Sequence, residues 1–195
     1  MIAFVRGKFV QKQPALVVVD VNGVGYECHI SLNTFSVISN ADEGQLFTYL
    51  HITENAQTLY GFADVLEKTT FLQLISVSGV GAATARIMLS GMRPAEIAKA
   101  IVQGNVKQLE SIKGIGKKTA ERLIVELKDK LSKQTTDMGF ATSTTGSTIE
   151  YDAVQALMAL GIAKANAENA VKKSLPAISG DVTLEPLIKL ALKNL

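Results

Sequence analysis

The order of apolar and polar positions divides the chain into three blocks with different periods. Over residues 1–62, short runs of β-formers are separated by turn signals. Ile2 to Val10, Ala15 to Val21, Tyr26 to Ile30, Leu46 to Thr53 and Thr58 to Phe62 each read as a strand. Asn22-Gly23 joins the second strand to the third as a two-residue hairpin, because both residue types tolerate positive φ. Leu32 to Ser39 reads as a short helical insert. Five strands with one such insert in about sixty residues fit a small Greek-key barrel of the oligonucleotide-binding (OB) type.

Beyond residue 62 the period becomes helical. Asp64 is placed to cap a helix over 66–77, with Glu67 completing a capping box, and Phe71, Leu74, Ile75 and Ser78 follow at helical spacing. A second short helix spans 106–112. Ala120, Leu123, Ile124, Leu127 and Leu131 form one stripe of a longer helix, whose polar side carries Lys117, Lys118, Arg122 and Lys128. Gly91-Met92-Arg93-Pro94 stops one helix and starts another, with Pro94 at its first position.

Residues 132–149 are crowded with Ser, Thr and Gly and lack apolar periodicity, the composition of a flexible linker. In the last block Val154, Leu157, Met158 and Leu160 lead to Gly161, a helix C′ residue. Two further helices follow over 165–175 and 184–195, separated by Pro176 and Gly180-Asp181. The expected division is therefore 1–62, 63–131, a linker over 132–149, and 150–195. A three-helix bundle this small is marginal in stability, and tethered domains of this kind usually bind another protein.

Within the helical middle one phrase occurs twice. Ser78-Gly79-Val80-Gly81-Ala82-Ala83-Thr84-Ala85 returns thirty-five residues later as Lys113-Gly114-Ile115-Gly116-Lys117-Lys118-Thr119-Ala120. A Gly-apolar-Gly turn that opens a helix gathers backbone N–H groups and the positive end of the helix dipole at one spot, where a phosphate can sit. One such turn is equally a bare corner between helices. Two in register, the second followed by Lys117, Lys118 and Arg122, point to a phosphodiester backbone.

Charge sharpens this reading. The net charge of +2 hides −2 over residues 1–62, +5 over 63–133 and −1 over 134–195. The positive segment is the one with the repeated turns, where a polyanion needs it.

Other chemistries fit poorly. Gly114-Ile115-Gly116-Lys117-Lys118-Thr119 resembles the end of a Walker A loop, but Ser111 stands where the first glycine belongs and Lys118 follows Lys117. His29 and His51 fall on strands with no nucleophile or carboxylate partner, and the acidic residues form no metal-ligand cluster. No cofactor and no metal are expected. Cys28, the single cysteine, cannot form an internal disulfide, which fits a reducing compartment. There is neither a membrane-length apolar run nor a basic, then apolar, secretory N-terminus. Two alternatives stay open: a glycosylase-like DNA repair enzyme using Asp129, and a general duplex-binding scaffold.

Several stretches resemble the RuvA family of bacterial Holliday junction branch migration subunits. They are Met1-Ile2 with Arg6-Gly7, Val24-Gly25-Tyr26-Glu27, Leu59-Tyr60-Gly61-Phe62, Gly79-Val80-Gly81, Leu89-Ser90-Gly91-Met92, the long run from Gly114 to Lys128, and Ala156-Leu157-Met158-Ala159-Leu160-Gly161. The resemblance covers almost the whole chain. It implies a multidomain α+β chain: an N-terminal five-stranded OB-fold barrel, a helical domain with two helix-hairpin-helix motifs, and a mobile C-terminal three-helix bundle.

It further implies a non-catalytic, sequence-independent, cytoplasmic DNA-binding protein of recombination, DNA repair and the SOS response. Such a subunit forms a homotetramer, or an octamer on the junction, and holds a four-way junction open and planar. Its implied partners are the hexameric ATPase RuvB and, in a larger complex, the resolvase RuvC. Residue by residue, Gly79, Val80, Gly81 and Thr84, and then Gly114, Ile115, Gly116, Lys117, Lys118 and Arg122, are the implied DNA contacts. Leu157, Met158, Leu160, Gly161 and Ile162 are the implied motor contacts.

Two positions depart from the family pattern. Where relatives carry a pair of acidic residues as a pin at the junction centre, Glu54 keeps a carboxylate and Asn55 does not. After the first turn, Ala82-Ala83-Thr84 lacks the basic residue that many relatives have, so the first grip is expected to carry less charge than the second.

Overall fold

The computed structural model describes residues 1–138, 145–175 and 183–195. The first 62 residues make a closed barrel, β1(Phe4–Gln13), β2(Leu16–Val21), β3(Val24–Ile30), β4(Glu43–Ile52) and β5(Gln57–Phe62), in the order β1-β2-β3-β5-β4. β1 serves two neighbours, pairing with β4 over Phe4–Lys8 and with β2 over Lys8–Gln13, and its register shifts between Phe9 and Gln11. Such a bulge bends a strand and lets a small sheet close on itself. The parallel pairing of Cys28, His29 and Ile30 with Leu59, Tyr60 and Gly61 completes the barrel.

Period-two alternation fills the interior with Val17, Val19, Cys28, Ile30, Leu46 and Leu59. Asn22 and Gly23 both take positive φ, 53° and 89°, and the Gly23 N–H donates to Asp20 Oδ1 at 2.7 Å. Gly7 has a different reason to be there: a Cβ at this position would lie 1.9 Å from the Asp20 carbonyl oxygen.

The insert after β3 is α1(Leu32–Ile38), capped by Ser31. The helical region then runs through α2(Val65–Ile75), α3(Ala82–Gly91), α4(Pro94–Val102), α5(Val106–Glu110) and α6(Lys117–Met138). Barrel and helices belong to one compact unit, Met1–Gly139. Tyr60 and Phe62 of β5 sit in the same apolar cluster as Phe71, Leu74, Met88, Ile97, Ile101, Leu123 and Leu127. The two domains expected over 1–62 and 63–131 are thus fused through a shared core.

Polar ties cross the same boundary. Asn33 Nδ2 donates to the carbonyls of Leu89 (2.6 Å) and Met92 (3.1 Å), and Arg86 donates to the Ala15 carbonyl at 2.9 Å.

Two local expectations need correction. Asp64 caps α2, its Oδ1 accepting from the Glu67 N–H at 2.7 Å, but the Glu67 side chain does not complete a capping box. It is buried and accepts hydrogen bonds from the hydroxyls of Ser31 and Thr34. Tertiary partners here outcompete the local one.

The second correction concerns α6, which continues to Met138, well into the stretch expected to be a linker over 132–149. Ser and Thr lower helix propensity by only tenths of a kcal/mol each and do not break a helix as Gly or Pro do. The next helix, α7(Thr145–Ala159), also begins earlier than expected. Residues 139–144, the remaining part of that stretch, lie outside the described residues.

The second unit, Phe140–Leu195, contains α7, α8(Lys164–Ser174) and α9(Leu184–Lys193). Its small core is Ala153, Leu157, Ala167, Ala170, Val171, Leu187 and Ala191.

Candidate nucleic-acid interface

The repeated phrase folds the same way twice. Gly79 and Gly114 each have φ of 94°, a conformation that a side chain disfavours. The Val80 N–H donates to the Val77 carbonyl at 3.0 Å, and the Ile115 N–H to the Ile112 carbonyl at 3.1 Å. Ala85 N–H bonds the Gly81 carbonyl at 2.9 Å, and Ala120 N–H the Gly116 carbonyl at 3.0 Å. Gly81 is the extended N-cap of α3, and Lys117 opens α6 directly after Gly116.

Val80 and Ile115 differ in role from the glycines around them. Their side chains are buried, anchoring each turn to the shared core, and their N–H groups are spent inside the turn. As sequence-predicted DNA contacts they therefore act as anchors and offer no donor. The donors that remain are the amides of Gly79, Gly81, Gly114 and Gly116, which no acceptor among the described residues bonds. The first N–H groups of α3 and α6 join them, since a helix leaves these without intrahelical partners. A Cβ at Gly79, Gly81 or Gly116 would meet nothing within 4 Å, so the space over each turn is open.

The charges are unequally shared, as the sequence predicts. At the second turn Lys117 is exposed and 4.0 Å from Glu121, and Lys118 is exposed beside it. At the first turn the helix opens with Ala82 and Ala83, and the next cation, Arg86, is turned toward the barrel carbonyl of Ala15. Arg122 is neither a simple surface cation nor confined to the second turn. Its Nε lies 3.5 Å from Glu126 Oε1, and its Nη1 donates to the Ser78 carbonyl of the first turn at 3.2 Å. Thr84 is half-buried, and its methyl group lies 4.0 Å from where a Cβ of Gly114 would stand. The second hairpin's helix is thus tied to the first turn. Sequence offers no signal for the Arg122–Ser78 contact, which spans 44 residues.

Glu54 and Asn55 sit exposed at the tip between β4 and β5. The turn is closed by Thr53 N–H and Oγ1, both donating to the Ala56 carbonyl at 2.8 and 3.2 Å. One carboxylate, not two, stands at this tip.

In the second unit the predicted motor contacts separate into two groups. Met158 and Leu160 are exposed, at 37% and 64%. Leu157 is fully buried in the bundle core and cannot present its side chain to a partner. Gly161, with φ of 90°, ends α7 in a Schellman turn: its N–H donates to the Met158 carbonyl, and the Ile162 N–H to the Leu157 carbonyl. Ile162, half-buried, packs on that same core.

The remaining candidates have structural settings. His29 and His51 flank Tyr60 on the barrel's outer face, with ring centroids 5.9 and 6.4 Å from it. Asp129 lies on the exposed side of α6. Burial pushes the Cys28 thiol up to about 12, with a smaller contribution from Glu27. Among the described residues no group of His, Cys, Asp and Glu could hold a metal ion, and no helix is long and apolar enough to cross a membrane.

Comparison with known proteins agrees along the chain. Residues 1–61 match the RuvA N terminal domain, 71–129 a SAM-like helix-hairpin-helix tandem, and 149–195 the RuvA C-terminal domain. A protein of Flavobacterium psychrophilum is 47% identical over 195 residues, covering 100% of both chains. One of Cytophaga hutchinsonii is 46% identical over 197 residues, covering 99% of each. One of Bacteroides thetaiotaomicron is 43% identical over 202 residues, again covering 100% of both. All three bear the name Holliday junction branch migration complex subunit RuvA.

Proposed function

The chain belongs to the RuvA family, and from that premise we propose that its two Gly-apolar-Gly turns hold a four-way DNA junction for an ATP-driven branch migration motor. It is a non-catalytic DNA-binding subunit. The observation that carries the reading is the duplicated turn, with two glycines at the same φ of 94°, exposed amides, and open space above.

Amides at Gly79, Gly81 and the start of α3 take one phosphate group; those at Gly114, Gly116 and the start of α6 take another, helped by Lys117 and Lys118. Contacts of this kind go to the backbone and carry no base information, which suits a protein that must hold a junction at any sequence. Four copies around a four-fold axis place one pair of grips on each arm. Glu54 at the exposed tip repels phosphates from the junction centre, and Asn55 there contributes shape without charge.

Residues 1–131 form the junction-binding part and 150–195 the part that recruits the RuvB ATPase, through Met158, Leu160 and the turn at Gly161. The assembly works in the cytoplasm in recombination, DNA repair and the SOS response, as a homotetramer that can pair into an octamer, with RuvC joining to resolve the junction.

A gel-shift series with a four-way junction and a linear duplex of the same sequence tests this. Preference for the junction is expected. Equal affinity for both would leave only a general duplex scaffold, and base release or nicking by the purified chain would make it a repair enzyme.

A further inference from the structure

Arg122 stands among the cations of the second hairpin, yet its bonds point elsewhere. Its Nη1 donates to the Ser78 carbonyl at 3.2 Å, and Glu126 holds its Nε side at 3.5 Å. A guanidinium strung between a carbonyl and a carboxylate is already partly neutralised and directionally committed. Resting on the reading that the turns grip phosphates, we propose that Arg122 is a positioning residue that sets the first turn, not a phosphate ligand of the second.

The geometry of one peptide explains how. In a trans peptide the C=O and the following N–H point in opposite directions. Drawing the Ser78 carbonyl toward α6 therefore aims the Gly79 N–H away from α6, and no acceptor among the described residues bonds that N–H. The first turn has no lysine pair of its own, so the aim of its amides is most of what it can offer a phosphate.

The tie runs one way. The residue thirty-five positions before Arg122 is Ile87, and the first hairpin's own arginine, Arg86, donates to the Ala15 carbonyl instead. Lysine is a poor substitute here, because a planar fork can face a carbonyl and a carboxylate together whereas an ammonium is a point charge.

The test uses the full-length protein and two readouts. Hydrogen exchange of the free protein follows the Val80 amide, whose bond to Val77 reports the first turn, with the Ile115 amide as internal control. Junction affinity is measured against salt for wild type, Arg122→Ala, Arg122→Lys and Lys117→Ala. Arg122→Ala is expected to speed Val80 exchange about three- to tenfold, the effect of one net hydrogen bond, and to leave Ile115 unchanged. It should also weaken junction binding with the salt slope of wild type, and Arg122→Lys should restore neither property.

A salt slope lowered by about one for each lost contact, with Val80 exchange at its wild-type rate, would overturn the proposal and make Arg122 a phosphate ligand. Faster Val80 exchange together with undiminished junction binding in both Arg122→Ala and Lys117→Ala would sustain the tie and instead refute the phosphate-grip reading.

Discussion

Thr34 Oγ1 donates a 2.5 Å hydrogen bond to Glu67 Oε2, joining the barrel's helical insert to the first helix beyond the barrel. Ser31 Oγ donates to the other carboxylate oxygen, and Thr34 Oγ1 in turn accepts from the Ala63 N–H at 3.0 Å. Burial raises the Glu67 pKa above its ordinary value of 4.5; the two hydroxyl bonds oppose this and Asp64 adds to it. The folded state therefore holds a proton on Glu67 more readily than the unfolded chain does.

A carboxyl with a raised folded-state pKa contributes stability fully below its unfolded value, and that contribution is lost as pH rises through the folded value. The difference in unfolding free energy between wild type and Glu67→Gln should fall as pH is raised from about 4.5 toward neutrality. Urea midpoints across that range measure it, and a flat or rising difference would contradict the assignment. Glu67→Ala removes the acceptor of two buried hydroxyls and should cost about 1–3 kcal/mol near pH 4.5, the cost falling as pH rises.

The glycines of the two turns should separate folding from binding. Gly79→Ala and Gly114→Ala place a Cβ at φ of 94° and should lose about 1–2 kcal/mol each. Gly81 has ordinary φ and open space around it, so Gly81→Ala should keep the wild-type melting temperature while weakening junction binding. Melting curves beside gel shifts decide this, and a Gly81→Ala protein that binds normally would remove that glycine from the interface. Gly7→Ala is the contrast. Its Cβ would overlap the Asp20 carbonyl at 1.9 Å, so loss of the folded barrel is expected.

Much of this was legible in the sequence because it is periodic or local. Alternation marked the five strands, the Asn22-Gly23 pair marked its hairpin, and the repeated Gly-apolar-Gly phrase marked both turns. What escaped depends on residues far apart. Glu67 has the right spacing for a capping box, and only the fold places Ser31 and Thr34 over it. Val80 and Ile115 read as part of a phosphate loop because the glycines around them do, whereas their side chains face the core. The end of α6 has no mark in the sequence, because Ser and Thr composition lowers helix propensity without setting a stop.

Lys117 is exposed and only loosely associated with Glu121, so it can act as a phosphate counter-charge. Lys117→Ala should weaken junction binding equally across sequences and lower the salt slope by about one for each Lys117 in contact with a phosphate. Affinities for junctions of unrelated sequence, each over a salt series, test this. A loss restricted to some sequences would mean that Lys117 reads bases.

Cys28 lies wholly inside the barrel, and its thiol is pushed up to about 12. At pH 8 it should resist iodoacetamide in the native protein and react promptly in denaturant, because the thiolate is the nucleophile. Mass spectrometry of the alkylated chain reads the outcome directly. Rapid native labelling would mean that the barrel opens at β3.

In the second unit, folding and partner contact fall to different residues. Leu157 fills the bundle core, so Leu157→Ala should cost about 2–5 kcal/mol in a bundle that has little to spare. Leu160 is 64% exposed at the end of α7, and Leu160→Asp should leave the bundle folded. If this surface recruits the motor, Leu160→Asp lowers stimulation of the ATPase while junction binding stays at the wild-type level. Truncation before residue 150 should abolish stimulation and spare junction binding, because the turns belong to the unit Met1–Gly139. ATPase assays with junction DNA, paired with circular dichroism of each variant, make the comparison. Full stimulation by the truncated chain would move the motor contact into the junction-binding unit, and full stimulation by a folded Leu160→Asp protein would place it elsewhere on the bundle.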